Sequence, residues 1–154
     1  MLIEFRFSRH DSEELATDFD AGEIDMHIGQ DLISSRKRTH MPNIIYMALY
    51  DLMDGVVSLQ NGAKSFQMQG SHYAFCVHFR RTRKGIVVTY EERKYGPVAL
   101  VALLDAIQRG LTEFFADPLN AIPLGGAMEG DFLGSWDALK QAMEQSGQLQ
   151  NRKK

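Results

Sequence analysis

The chain has 154 residues, of which 44% are hydrophobic and 24% charged, with a net charge of −3. That is the size and texture of one globular domain able to bury roughly 70% of its unfolded surface, and it excludes a wholly disordered or collagen-like chain. The single cysteine excludes an internal disulfide and fits a reducing compartment.

In chain order, "LIEFRF" alternates, with Ile3, Phe5 and Phe7 on one side and Leu2, Glu4 and Arg6 on the other, which is the period of a half-buried strand. "EIDMHIGQ" repeats it with Ile24, Met26 and Ile28 against Asp25 and His27. The acid-rich "SRHDSEELATDFDAG" between them reads as a loop, with room for a helical turn where Leu15 and Phe19 sit four apart. In "PNIIYMALYDLMDGVVSLQNG" the period changes: Ile45, Ala48, Leu49, Leu52, Met53, Val56 and Leu59 share one helical face, between Pro42 and Gly62. Tyr46 and Tyr50 fall on its flank, where the hydroxyl is expected to stay wet.

Three strands are predicted next: "KSFQMQ", "HYAFCVHFR" with Tyr73, Phe75, Val77 and Phe79 inward, and "GIVVTYEE". The glycine of "RTRKG" suits a hairpin between the last two. "GPVALVALLDAIQRGLTEFFA" is a second amphipathic helix, with Leu100, Leu103, Leu104, Ile107, Leu111, Phe114 and Phe115 on one side and Asp105, Arg109 and Glu113 on the other. "DPLNAIPLGGAMEG" reads as a loop, and Ser135 caps a short last helix through Met143 striped by Trp136, Leu139 and Met143. Residues 1–146 are thus expected to form one α+β domain in the order ββαβββα plus a short C-terminal helix, with 147–154 a disordered tail. Two main helices would cover one face of a largely antiparallel five-stranded sheet. The other face would carry Glu4, Arg6, Asp25, His27, Gln67, His72, Cys76, His78, Arg80 and Thr89.

Charge is segregated along the chain. Residues 1–31 hold nine acids and two bases, residues 32–94 ten bases and four acids, and residues 95–154 five bases and seven acids. Such asymmetry points to an interaction surface rather than a fold property. The opening "MLIEFRFSRHDSEE" lacks the succession of a secretory signal, and the apolar run from Val98 to Leu104 stops at Asp105, so a cytoplasmic chain with no membrane segment is expected.

Period 2 puts His72, Cys76 and His78 on one side of a strand, and with His27 they are nitrogen and sulfur ligands of the kind zinc takes. The set converges only if the strand of His27 lies beside theirs, and no CxxC, HxH or HExxH pattern accompanies it. Cys76 as a nucleophile has only His78 as a neighbouring base. Arg80, Arg81, Arg83 and Lys84, with Arg36, Lys37 and Arg38, offer phosphate contacts for an RNA-binding accessory domain, but the aromatics alternate away from them and the chain is acidic overall. Asp18, Asp20, Glu23 and Asp25, within the acidic segment, offer a docking surface for a basic partner, because clustered charge steers association. Arg80, on the open face, is the cation assigned to that contact.

The helix "IIYMALYDLMDGVVSL", the strand-rich run "FQMQGSHYAFCVHFRRTRKGIVVTYEE" and the helix "VALVALLDAIQRGLTEFF", residues 44–115, together resemble bacterial immunity proteins in element order, size and texture. These are cytosolic antidotes encoded beside the polymorphic toxins of contact-dependent and type VI secretion systems. The resemblance implies a protein that occludes or distorts a toxin's active site, with no catalytic residue, metal or cofactor of its own. For a nuclease partner the acidic segment would stand in for phosphates. No binding residue transfers through the resemblance.

Overall fold

The computed structural model describes residues 1–37, 43–69, 75–126 and 128–152. The two alternating N-terminal segments become β1 (Ile3–Arg9) and β2 (Ala21–Ile28), paired antiparallel with Phe5 opposite Met26 and Phe7 opposite Ile24. Gly29, at φ 60°, turns the chain into β3 (Asp31–Ser34), which pairs with β2 and buries Ile33 beside Met26. β4 (Asn43–Ile44) bonds β2 at Ala21 and Gly22, on the edge that β3 uses farther along. α1 (Ile45–Gln60) follows without a break, and its predicted apolar face is buried throughout.

The second sheet is an antiparallel meander of β5 (Ser65–Met68), β6 (Val77–Thr82), β7 (Gly85–Tyr90) and β8 (Arg93–Val98). It leads into α2 (Leu100–Phe115), a short 3₁₀ turn at Pro118–Asn120, and α3 (Glu129–Arg152). α1 packs on β5, on β1 and β2, and on α3, so one hydrophobic core runs from Ile3 through Phe79 to Ala142. No helix among the described residues is long and apolar enough to cross a membrane.

The α+β class is as expected, but the five-stranded sheet with an open polar face is corrected to two four-stranded sheets. The reason lies in the edges of the first sheet. Gly29 N–H bonds Leu2 O and His10 N–H bonds Ala21 O, so even-numbered backbone groups of β1 face β2 and those of Ile3, Phe5 and Phe7 face away. α2 lies against that outer edge. A Cβ on Gly110 would sit 2.8 Å from Phe5 O and 2.9 Å from the Phe7 ring, so the close approach needs a glycine there. With β3 and β4 holding the other edge of β2, a strand leaving α1 has no place in this sheet and starts another.

Two further differences concern side chains. Tyr46, expected at the wet flank of α1, is fully buried and donates its hydroxyl to Asn120 O at 2.7 Å. α3 is longer at both ends than the Ser135–Met143 segment and reaches into the expected tail. Pro42, Ser71, His72, Tyr73 and Arg38 lie outside the described residues.

Candidate protein-docking surface

Along β1, alternation carries Ile3, Phe5 and Phe7 inward, and it carries Arg9 inward after them. A guanidinium cannot be buried uncompensated, so it needs a full set of acceptors. Arg9, its side chain fully buried, donates from Nη1 to Asp20 Oδ2 at 2.6 Å, from Nε to Asn120 Oδ1 at 2.8 Å, and from Nη2 to the carbonyls of Glu14 at 2.5 Å and Leu119 at 3.0 Å. Asn120 Nδ2 donates to Phe114 O at 2.8 Å, and Ala16 N–H bonds Leu119 O. One cation therefore ties the end of β1, the 10–20 loop and the segment after α2 into a single unit.

Asp20 is the hinge of this clamp. Burial works against its charge, but bonds from the Thr17 amide at 2.9 Å and hydroxyl at 2.7 Å, with the Arg9 guanidinium, outweigh it and hold the carboxyl below its ordinary value. A depressed carboxyl lends stability above the unfolded-state value and loses it as pH falls through the folded one. Urea titrations should therefore show the wild type weakening as pH drops below about 4, and Asp20→Asn, less stable at neutral pH, losing less over that window. Equal acid limbs would remove Asp20 from the clamp. At the other end of the hub, burial pushes the Tyr46 phenol up to about 12.

The remaining acids divide. Glu23, on the outer face of β2, is nearly closed off: His10 Nε2 lies 2.7 Å from Oε1, and Ser35 Oγ bonds Oε2 while accepting the Ile24 amide. Serine and histidine meet on one carboxylate, so the hydroxyl is not aimed at the imidazole as a nucleophile requires. Asp25 accepts Ser34 Oγ at 2.5 Å and Arg36 Nε at 3.1 Å, and Arg36 also bonds Ser8 Oγ at 2.9 Å. Asp18 lies against Gly126, its carboxylate oxygens 2.6 Å from where a Cβ would begin. Asp20, Glu23 and Asp25 thus hold the fold together and Asp18 is half-buried, whereas Asp11, Glu13 and Glu14 are exposed.

The clamp also fixes what the loops present. Leu15 is 74% exposed, Phe19 76% and Leu124 90%, and Leu133 at the start of α3 is half-exposed. Between the 121–122 segment and α3 lies a groove of about 490 Å³ floored by Phe115, Phe132 and Trp136. The Phe115 ring meets Trp136 edge-on at 5.7 Å and Phe132 at 5.5 Å. A contiguous exposed apolar patch is the mark of an interaction site, whereas scattered single side chains are ordinary. The inward cation at Arg9 is the signal in the sequence for the clamp, and the helical turn expected through Leu15 and Phe19 does not form.

The other candidates are dispersed. His27 stands in the first sheet opposite Glu4 and Leu32, and His78 in the second opposite Gln67 and Thr89. Cys76 is half-buried just before β6, and His72 lies outside the described residues. The proposed ligand strands therefore belong to different sheets, and among the described residues no three His, Cys, Asp or Glu side chains converge as a metal would need. In the basic clusters, Arg36 is held by Asp25, and Arg81 caps α1 by donating to Leu59 O and, at 3.4 Å, to Ala63 O. Arg80 is exposed on the outer face of the second sheet, between Ser65 and Val87. Set against known proteins, the chain matches no family model, no curated protein and no solved structure.

Proposed function

We propose that the chain is a non-enzymatic binding protein that neutralises a cognate bacterial toxin by occluding it. The observation that carries the reading is the surface built by the Arg9 clamp: Leu15, Phe19 and Leu124, strongly exposed, stand on two loops bonded to each other, and Leu15 and Phe19 share the 10–20 loop with Asp11, Glu13 and Glu14. Apolar tips supply the contact that excludes water, and acids around them attract a basic partner and repel acidic ones. A toxin that acts on nucleic acid has a basic substrate site of this complementary kind. The acids that do the steering are Asp11, Glu13 and Glu14, because Asp20, Glu23 and Asp25 have internal partners.

The test begins with a toxin or secretion-effector gene directly upstream of this one, expressed with and without the chain. Growth should be restored by co-expression. With the purified pair, the variant Asp11→Asn, Glu13→Gln, Glu14→Gln should associate about tenfold more slowly at low salt, with the difference shrinking as salt rises. Association kinetics unchanged at low salt would remove these acids from the contact, and growth arrest despite co-expression would remove the toxin reading itself.

A further inference from the structure

A recess of about 350 Å³ opens between α1 and the start of α3, walled by Met47, Tyr50 and Met128 and bearing Asp51, Asp131 and Gln69. Its two carboxylates have no cation. Among the described residues neither forms an ion pair, and both helices draw this part of their length from sequence without bases. Residues 39–63 hold two acids and no Lys or Arg, and residues 110–139 hold five acids and no Lys or Arg. Asp131 belongs to the first turn of α3, where the helix N-terminus favours a negative charge. Asp51 has no such support. It stands in the middle of α1, half-buried, and accepts one long bond, from the Gln69 amide at 3.3 Å. Burial and the neighbouring Asp54 push its carboxyl above the ordinary value despite that bond. A half-buried carboxylate without a counter-charge costs the fold stability, and a cation arriving from outside would remove that cost.

We infer that this recess receives an arginine side chain of the partner protein, its stem along Met47, Met128 and Tyr50 and its guanidinium at Asp51 and Asp131. The inference rests on the binding-protein reading above. The volume is at the low end for ligand pockets, the size for one long side chain. The lining matches arginine in both its parts: thioether and aromatic walls take the aliphatic stem and the flat, weakly hydrated guanidinium, and the carboxylates take the charge. The compact, strongly hydrated ammonium of lysine is the poorer fit. The recess also adjoins the surface already assigned to the partner. Met128 follows the loop of Leu124 and Gly126, and Gly126 lies against Asp18 of the 10–20 loop.

The probe is N-acetyl-arginine amide, with N-acetyl-citrulline amide as its neutral counterpart of the same length, titrated into the full chain with isotope-labelled methionine methyls and backbone amides. In NMR spectra the arginine compound should shift the Met47 and Met128 methyls and the Gln69 amide and saturate in the millimolar range, and the citrulline compound should bind about tenfold more weakly. Asp51→Asn keeps an acceptor for the Gln69 amide and removes the charge. It should lose about tenfold in arginine affinity while its melting point stays the same or rises. Equal binding of the two compounds, no saturable shift at these groups, or unchanged affinity in Asp51→Asn overturns the inference. So does a lower melting point in that variant, which would make the carboxylate a part of the fold.

Two outcomes separate this inference from the toxin reading. If the arginine compound behaves as expected while no upstream toxin is neutralised, the recess is supported and the toxin reading alone fails. If a neutralised toxin dissociates from the wild type and from Asp51→Asn at the same rate, neutralisation is retained and the recess inference fails.

Discussion

Arg9→Ala should lower the unfolding free energy by about 4 kcal/mol, the range found when one partner of a buried ion pair is removed. The loss is larger than one ion pair in isolation because four acceptors depend on the same guanidinium: Asp20, the Asn120 side chain and the carbonyls of Glu14 and Leu119. Each is left in a dry or half-dry place, and a buried acceptor without a donor costs its full desolvation. For a chain of this length the melting point should fall by about 10 °C. Arg9→Lys keeps the charge but presents one nitrogen where the fork presented three, so it should fall in between. The 10–20 loop should also come loose before the core does, since its bonds to the 119–120 segment run through Arg9 and Ala16. Cleavage after Glu13 and Glu14 by a glutamate-specific protease under native conditions reads this separately from global unfolding. A stability loss below about 1 kcal/mol, the size of a surface pair, would show that the clamp does not hold the loops.

The same residue shows what the sequence makes legible. Period 2 identifies β1 and β2 and their inward faces, and period 3.6 identifies α1 and α2, because each of these elements buries one face and its pattern is written by that burial. β3 and β4 escape because four and two residues are too few for a period to show. β8 escapes for a different reason. The turn before it places Glu91 at φ 50° and Glu92 at φ 67°, where hairpins usually carry Asn and Gly, so no turn residue announces it. With β8 hidden, Gly96 and Pro97 read as the start of a helix, which in fact begins at Leu100.

The split into two sheets is not legible from strand patterns at all, since it depends on which edges are already occupied. The candidate site is half legible. Charge segregation marks the 10–20 region as a surface, but sign alone does not separate exposed acids such as Asp11, Glu13 and Glu14 from Asp20 and Glu23, which stabilise the fold. The separation follows once Arg9 is recognised as a cation at an inward strand position.

Gly22→Val should be the second large loss, about 3 kcal/mol, at the upper end of what overpacking costs. Gly22 is where three elements meet: β2 pairs there with Arg9 of β1 and Asn43 of β4, and α1 begins over it with Ile45 N–H bonded to Asp20 O. A Cβ at this position would lie 2.2 Å from the Ser8 carbonyl oxygen and 2.8 Å from Ile45 Cβ. The first is backbone inside a paired strand and the second is a side chain with no exposed surface, so neither can step aside. β-Propensity alone predicts the opposite sign, because valine is the better strand former by up to about 1 kcal/mol. The experiment therefore decides between local preference and packing. Gly134→Ala provides the internal contrast: Gly134 is interior to α3, a Cβ there would meet nothing within 4 Å, and the variant should gain up to about 1 kcal/mol from helix propensity. If Gly22→Val proved neutral or stabilising in urea titration, α1 would have to sit farther from β2 than this geometry places it.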